Sequence, residues 1–257
     1  MSAAPTVPGW HGKLPSLGDF ASRRLTPDFL AVWDTWLAQG MLHLRQRDAA
    51  GWLDAYLASP TRRFLLMPGV LPGALADDSP GAPGAPDDPA EPGAPAWAGV
   101  LMPSVDRVGR YFPFTIVQPV HRLPAAPGQM QGLWRWLGQL DELAADALHD
   151  DWSVDRLESE LARLAGAGDP ALAETFNPVN PASAAAALPP TAGALVALAL
   201  APGVDIAQHI DTQAQALWQQ QARGLAYWYA STDRLAPSLW VSRGLPASAA
   251  ALLGATI

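Results

Sequence analysis

The chain has 257 residues, enough to bury a full core in one large domain or two small ones. A formal charge of −8 and the lack of any basic run argue against nucleic acid as a partner, because phosphate recognition relies on clustered Lys and Arg. With no cysteine, disulfides and thiolate metal sites are excluded, and eleven Trp require a dense core or an adhesive surface.

The opening MSAAPTVPGWHGKL has neither a basic n-region nor an apolar h-region, so no secretory leader is expected. The block Gly9 to Leu25 is rich in turn residues yet holds Trp10, Leu14, Leu17 and Phe20, which predicts a loop packed on the body of the fold. Its Gly12-Lys13 pair does not make a phosphate loop. Leu14 and Pro15 follow the lysine where Ser or Thr is needed, and the motif's earlier glycine is missing.

Thr26-Pro27-Asp28 supplies an N-cap, a first-turn proline and a first-turn acid. Phe29, Trp33, Trp36, Leu37, Gly40, Met41 and Leu44 then fall on one helical face, and this spacing predicts core. Arg45 to Asp48 closes the helix. Trp52 to Leu57 reads as a short helix ended by Ser59-Pro60, and Arg62 to Met67 as a core strand. From Pro68 to Ala96 the chain is mostly Pro, Gly, Ala and Asp. Such a composition cannot offset the entropy of ordering, so 68–96 is expected to be a disordered insertion in a hairpin loop.

The stretch WAGVLMPSVDRVGRYFPFTIVQPV, Trp97 to Val120, reads as two buried strands, Ala98 to Pro103 and Tyr111 to Val120, around a polar turn. Ser104, Asp106, Arg107 and Arg110 crowd four hydrogen-bonding side chains into seven positions, more than chain reversal needs. Two arginines beside one aspartate predict an ionic cluster that holds loops together, binds an anionic group or faces a partner. Asp19 is the expected partner of Arg107 or Arg110 in a buried pair.

Pro127 to His149 is the next expected helix, with Met130, Leu133, Trp134, Leu137, Leu140, Ala144 and Leu148 inward. Ser153 caps another that buries Val154, Leu157, Leu161 and Leu164 and shows Asp155, Glu158, Glu160 and Arg163 to water. Residues 165–190 read as loop. Gly193 to Leu200 is a weak strand, Asp205 to Arg223 a helix, and 225–231 with 238–242 a hairpin. Pro246 to Leu253 closes the chain as a short helix. Between Thr175 and Val204 no charge occurs, but prolines leave Gly193 to Ala201 as the continuous apolar run, short of the roughly 20 residues that span a bilayer. A soluble α/β body with helices on both sheet faces is expected.

Catalytic signals are sparse. No histidine pair has metal-ligand spacing, no serine lies in a GxSxG elbow, and neither Ser16 with Asp19 nor Ser104 with Asp106 has a histidine at a spacing that implies a triad. Turn caps account for these residues equally well.

GKLPSLGDFASRRL, the WDTWL helix and PSVDRVGRYFPFTI, in this order, resemble the TagF/ImpM family of proteins associated with bacterial type VI secretion. The resemblance covers about the first 120 residues apart from the insertion, and SLWVSRGLP more weakly. It implies one domain over 1–257, a three-layer α/β/α sandwich with a mixed central sheet, and a cytoplasmic, non-enzymatic protein without cofactors. Such a protein represses secretion after translation by binding the forkhead-associated scaffold protein. The signature loops then contain Lys13, Ser16, Asp19, Arg23, Arg24, Ser104, Asp106, Arg107 and Arg110. Helical Trp33, Trp36, Trp134 and Trp218 are expected in the core. Trp10 and Trp97, with Arg23, Arg24 and Arg110, are expected at the partner surface. The alternative is a small anionic-ligand binder, or an enzyme, built on Arg107 and Arg110.

Overall fold

The structure, a computed structural model, describes residues 7–71, 95–123, 129–166, 218, 221–232 and 235–254. Its first long helix begins as the sequence dictates. Thr26 accepts a hydrogen bond from the Phe29 N–H at 3.3 Å, and α1 (Pro27–Arg47) buries Phe29, Trp33, Trp36, Leu37, Gly40, Met41 and Leu44, the expected stripe. A short α2 (Trp52–Leu57) follows and buries Tyr56.

Seven strands make one sheet: β1 (Gly9–Gly12), β2 (Ala21–Arg23), β3 (Arg62–Leu66), β4 (Ala96–Met102), β5 (Phe114–Val120), β6 (Leu225–Thr232) and β7 (Leu235–Arg243). Their order is β2-β1-β5-β4-β3-β6-β7, and every neighbouring pair is antiparallel. The expected mixed sheet is therefore corrected. β3 and β4, β4 and β5, and β6 and β7 are consecutive in the chain and pair antiparallel, whereas neighbouring parallel strands need a crossover connection. The middle strand β4 is buried at all seven positions, which explains its unbroken apolar run.

Alternation along the strands divides the core in two. On one face Leu65, Ala98, Val100, Phe114 and Ile116 pack with Leu133, Leu137 and Leu140 of α3 (Gln129–His149) and Leu157 and Leu161 of α4 (Val154–Gly166). On the other, Phe64, Leu66, Trp97, Leu101, Val117 and Trp228 pack with α1, Tyr56 and a 3-10 turn at Ala249–Ala251, which replaces the expected closing helix.

The block expected as a loop at Gly9–Leu25 instead contributes β1 and β2. β1 lies between β5 and β2, with Trp10 opposite Ile116 and Arg23. Its glycines, which read as turn residues, are required by close approach. Gly12 has φ 127°, and a Cβ there would collide with the Pro113 carbonyl oxygen. Of the expected insertion 68–96, Pro68–Leu71 and 95–96 are described, and Ala96 belongs to β4; residues 72–94 lie outside the described residues. The expected strand at Gly193 to Leu200 and most of the helix at Asp205 to Arg223 also lie outside them. Among the described residues no helix is long and apolar enough to cross a membrane.

Candidate functional site

Lys13 follows the last residue of β1 and reaches Asp106 in the loop that joins β4 to β5. That loop is folded on itself: the Asp106 N–H donates to the Arg110 carbonyl at 3.0 Å, the Gly109 N–H donates to the Asp106 carbonyl at 3.0 Å, and Val105 bridges Tyr111. Gly109 takes φ 81°, which a turn residue with no Cβ adopts freely.

The Asp106 carboxylate is fully enclosed and accepts four hydrogen bonds. Oδ2 takes Lys13 Nζ at 2.6 Å and Arg110 Nε at 2.7 Å, and Oδ1 takes the N–H groups of Val108 at 3.0 Å and Arg110 at 2.9 Å. Burial raises its pKa, but the Lys13 ammonium, the backbone donors and the Arg110 guanidinium together outweigh burial and hold it well below the usual carboxylate range. Phe20 covers the lysine, its ring centroid 4.1 Å from Nζ, and meets Phe112 edge-on at 4.8 Å.

Ser104 adds a second layer. Its hydroxyl donates to the Lys13 carbonyl at 2.7 Å, its N–H donates to the Tyr56 hydroxyl at 2.7 Å, and that hydroxyl donates to the Ser104 carbonyl at 3.0 Å. Burial pushes the Tyr56 phenol well above its ordinary pKa, and the Ser104 contact only partly opposes this. The Arg107 N–H donates to the Leu17 carbonyl at 2.9 Å, Arg110 Nη2 donates to the Gly18 carbonyl, and the Ser16 hydroxyl donates to the Trp152 carbonyl at 2.6 Å. Two signature loops, far apart in sequence, are thus stitched together.

The buried pair is Lys13–Asp106; Asp19 does pair with Arg110, one of its two expected partners, but in solvent, so the expected burial of that pair is corrected. Asp19 is 84% exposed and lies 3.9 Å from Arg110 Nη2, and Arg107 stands at the exposed tip of the turn. Trp10 and Trp97 are corrected too. Trp10 is fully buried and donates through Nε1 to Glu158 Oε1 at 2.6 Å, and Trp97 packs on Phe29 with centroids 4.5 Å apart. Arg24, with φ 57°, is tied to the Pro8 carbonyl through Nε at 3.0 Å and Nη2 at 2.8 Å and forms an ion pair with Glu158. Arg23 stays exposed, donating to its neighbour Ser22.

Glu158, expected to face water, is half-buried. Burial raises its pKa, but Arg24 and the Trp10 indole lower it more, leaving it below the ordinary value. The structure also pairs His11 Nε2 with Asp34 Oδ1 at 3.0 Å, although nothing in their spacing announced it. His11 Nδ1 has no hydrogen-bond partner among the described residues, so this dyad activates no hydroxyl there.

A cavity of about 540 Å³ opens elsewhere, lined by Arg63, Trp134, Trp218, Tyr227 and Tyr229 among others, and none of the signature-loop residues lines it. Trp218, expected in the core, is 39% exposed here. The ionic cluster itself is a closed bridge between β1 and the 103–113 loop, with every Asp106 oxygen already engaged.

These same segments carry the likeness to known proteins. The profile of the TagF N-terminal domain, type VI secretion system-associated, matches residues 9–164, more than half of the chain. The solved structure of PA0076 from Pseudomonas aeruginosa PAO1 is 31% identical, with a TM-score of 0.62 over 96% of this chain and 92% of that one. None of the curated proteins compared matches it. The signature loops, the aromatic helix and the sheet edge they build thus lie inside a recognised domain, and the chain belongs to the TagF family of type VI secretion-associated proteins.

Proposed function

We propose that the chain is a non-enzymatic regulator that represses type VI secretion after translation, in the cytoplasm, by binding the forkhead-associated scaffold protein of the apparatus. Family membership supports the pathway. The observation that carries the regulator reading is the saturated Asp106 carboxylate. Lys13, Asp106 and Arg110, the residues best suited to chemistry, are committed to joining loops, and Phe20 covers the lysine. We further read the two core clusters, one on each sheet face, as the three-layer α/β/α arrangement of a single domain.

The competing reading, an anionic-ligand site on Arg107 and Arg110, has less support. Arg110 already serves Asp106 and the Gly18 carbonyl, and the described cavity lies away from both arginines. The test is co-purification of the two isolated proteins in a chelator-containing, nucleotide-free buffer. A stable complex is expected. Migration as two separate species would overturn the proposal.

A further inference from the structure

Lys13, Arg24 and Arg63, buried or half-buried, each meet an acid: Asp106, Glu158 and Asp141 in turn. Arg62, the first residue of β3, is 2% exposed and has no carboxylate partner among the described residues. Its Nε donates at 3.1 Å to the Leu252 carbonyl, which also accepts from the Ser59 hydroxyl at 3.0 Å. Its guanidinium carbon lies 4.3 Å from the centre of the half-buried Trp240 ring. Nη1 is enclosed and has no hydrogen-bond partner. A carbonyl dipole and a ring face offset part of the cost of taking a guanidinium out of water, but neither carries a net charge. A buried lysine can shed its proton, whereas arginine keeps its charge at neutral pH. Burial lowers the Arg62 pKa, and no neighbouring charge among the described residues opposes it. A second uncommitted donor lies on the same sheet face. The fully buried Trp228 has no partner for Nε1, and it stands opposite Phe64, two residues along β3 from Arg62, and opposite Trp240 on β7.

We propose that this corner of the fold, where β3 begins against β7 and the 3-10 turn, binds one small anion, a halide or a compact carboxylate, through the Arg62 guanidinium. The unpaired charge carries the inference. Buried charges are stable only when paired, and Arg62 has both a full charge and a free N–H to offer an anion. Enclosure sets the size: Nη1 is closed off, so a compact anion fits where a bulky one does not. Binding has a structural consequence. Arg62 already holds the Leu252 carbonyl, so neutralising its charge strengthens the junction between the closing turn and the sheet. None of the signature-loop side chains takes part, and the inference does not depend on the regulator reading.

The test is thermal melting of the parent, Arg62→Met and Arg163→Met in sodium gluconate, with the gluconate replaced stepwise by chloride or by formate at constant ionic strength. Gluconate is too large for an enclosed guanidinium, whereas chloride and formate are not. The parent is expected to gain about 2–4 °C along a saturating curve, because an anion that binds only the folded state stabilises it by mass action. Arg163→Met removes a cation on α4 whose side chain is 73% exposed, and it is expected to gain as much as the parent. Arg62→Met keeps an unbranched stem without the charge and is expected to show no saturable gain. A response to chloride alone or to formate alone supports the site and names its anion. A parent indifferent to both overturns the proposal. An Arg62→Met variant that responds like the parent overturns it too, since the anion would then sit elsewhere. Should Arg62→Met fail to fold, Arg62→Lys, which replaces the planar fork with a point charge, takes its place. It is expected to need several-fold more anion for half the gain, and an unchanged midpoint overturns the assignment to Arg62.

Discussion

Replacing Lys13 with Met is expected to destabilise the protein by about 3–5 kcal/mol, because it strands an enclosed carboxylate that has lost its ammonium partner. Arg110 Nε and the N–H groups of Val108 and Arg110 remain on the carboxylate, so the loss should fall toward the lower part of that range. Asp19→Ala, which removes an exposed carboxylate 3.9 Å from Arg110, is expected to cost less than about 0.5 kcal/mol. Urea unfolding of both variants checks the contrast. A Lys13→Met curve superimposable on the parent's would mean that the cluster does not hold the loops. The pH dependence has a definite sign. Asp106 has a depressed folded-state pKa, so its contribution is complete above the ordinary Asp value of about 3.9 and is lost as pH falls through the lower folded value. Lys13→Met should flatten the acid limb of the stability profile below that value.

Trp33→Ala is the other large effect, expected at about 3–5 kcal/mol. The ring is fully buried among Phe29, Trp36, Phe64 and Trp228, and its Nε1 donates to the Thr115 hydroxyl at 3.0 Å. Truncation opens a cavity between α1 and the sheet and leaves a buried hydroxyl without its donor. Trp33→Phe keeps much of the packing and should lose less, mainly the hydrogen bond. Thermal melting of the pair orders them. A Trp33→Ala variant as stable as Trp33→Phe would place the aromatic cluster outside the structural core.

The difference between what was legible in the sequence and what was not follows from range. α1 was legible because its cap, its first-turn proline and acid, and its seven inward residues are all local signals. β4 was legible because a strand buried on both faces leaves a continuous apolar run. β1 was not: Gly9-Trp10-His11-Gly12 is too short to alternate, and the glycines needed for approach to its neighbours read as turn residues. The buried ion pair escapes sequence reading for a related reason. Sequence reading points to Asp19 as the acid of the buried pair, whereas the structure uses Asp106, whose partner Lys13 lies 93 positions away with no periodicity to link them. Arginine is the usual choice for such a site. Yet position 107 sits at the tip of the turn, and position 13 reaches the Asp106 carboxylate from the end of β1. Glu158 read as the solvent face of an amphipathic helix, and only the tertiary placement of Trp10 and Arg24, the latter 134 positions away, draws it inward. The sheet's direction was hidden as well, since interspersed helices suit parallel and antiparallel sheets alike until the pairing of consecutive strands is seen.

The central claim is that the chain restrains type VI secretion through binding alone. The most direct measurement is export of a type VI substrate from cells with an active apparatus, with and without overproduction of the chain. Export is predicted to fall sharply on overproduction, while cellular levels of the secretion proteins stay unchanged. Undiminished export beside abundant, folded parent protein would contradict the account.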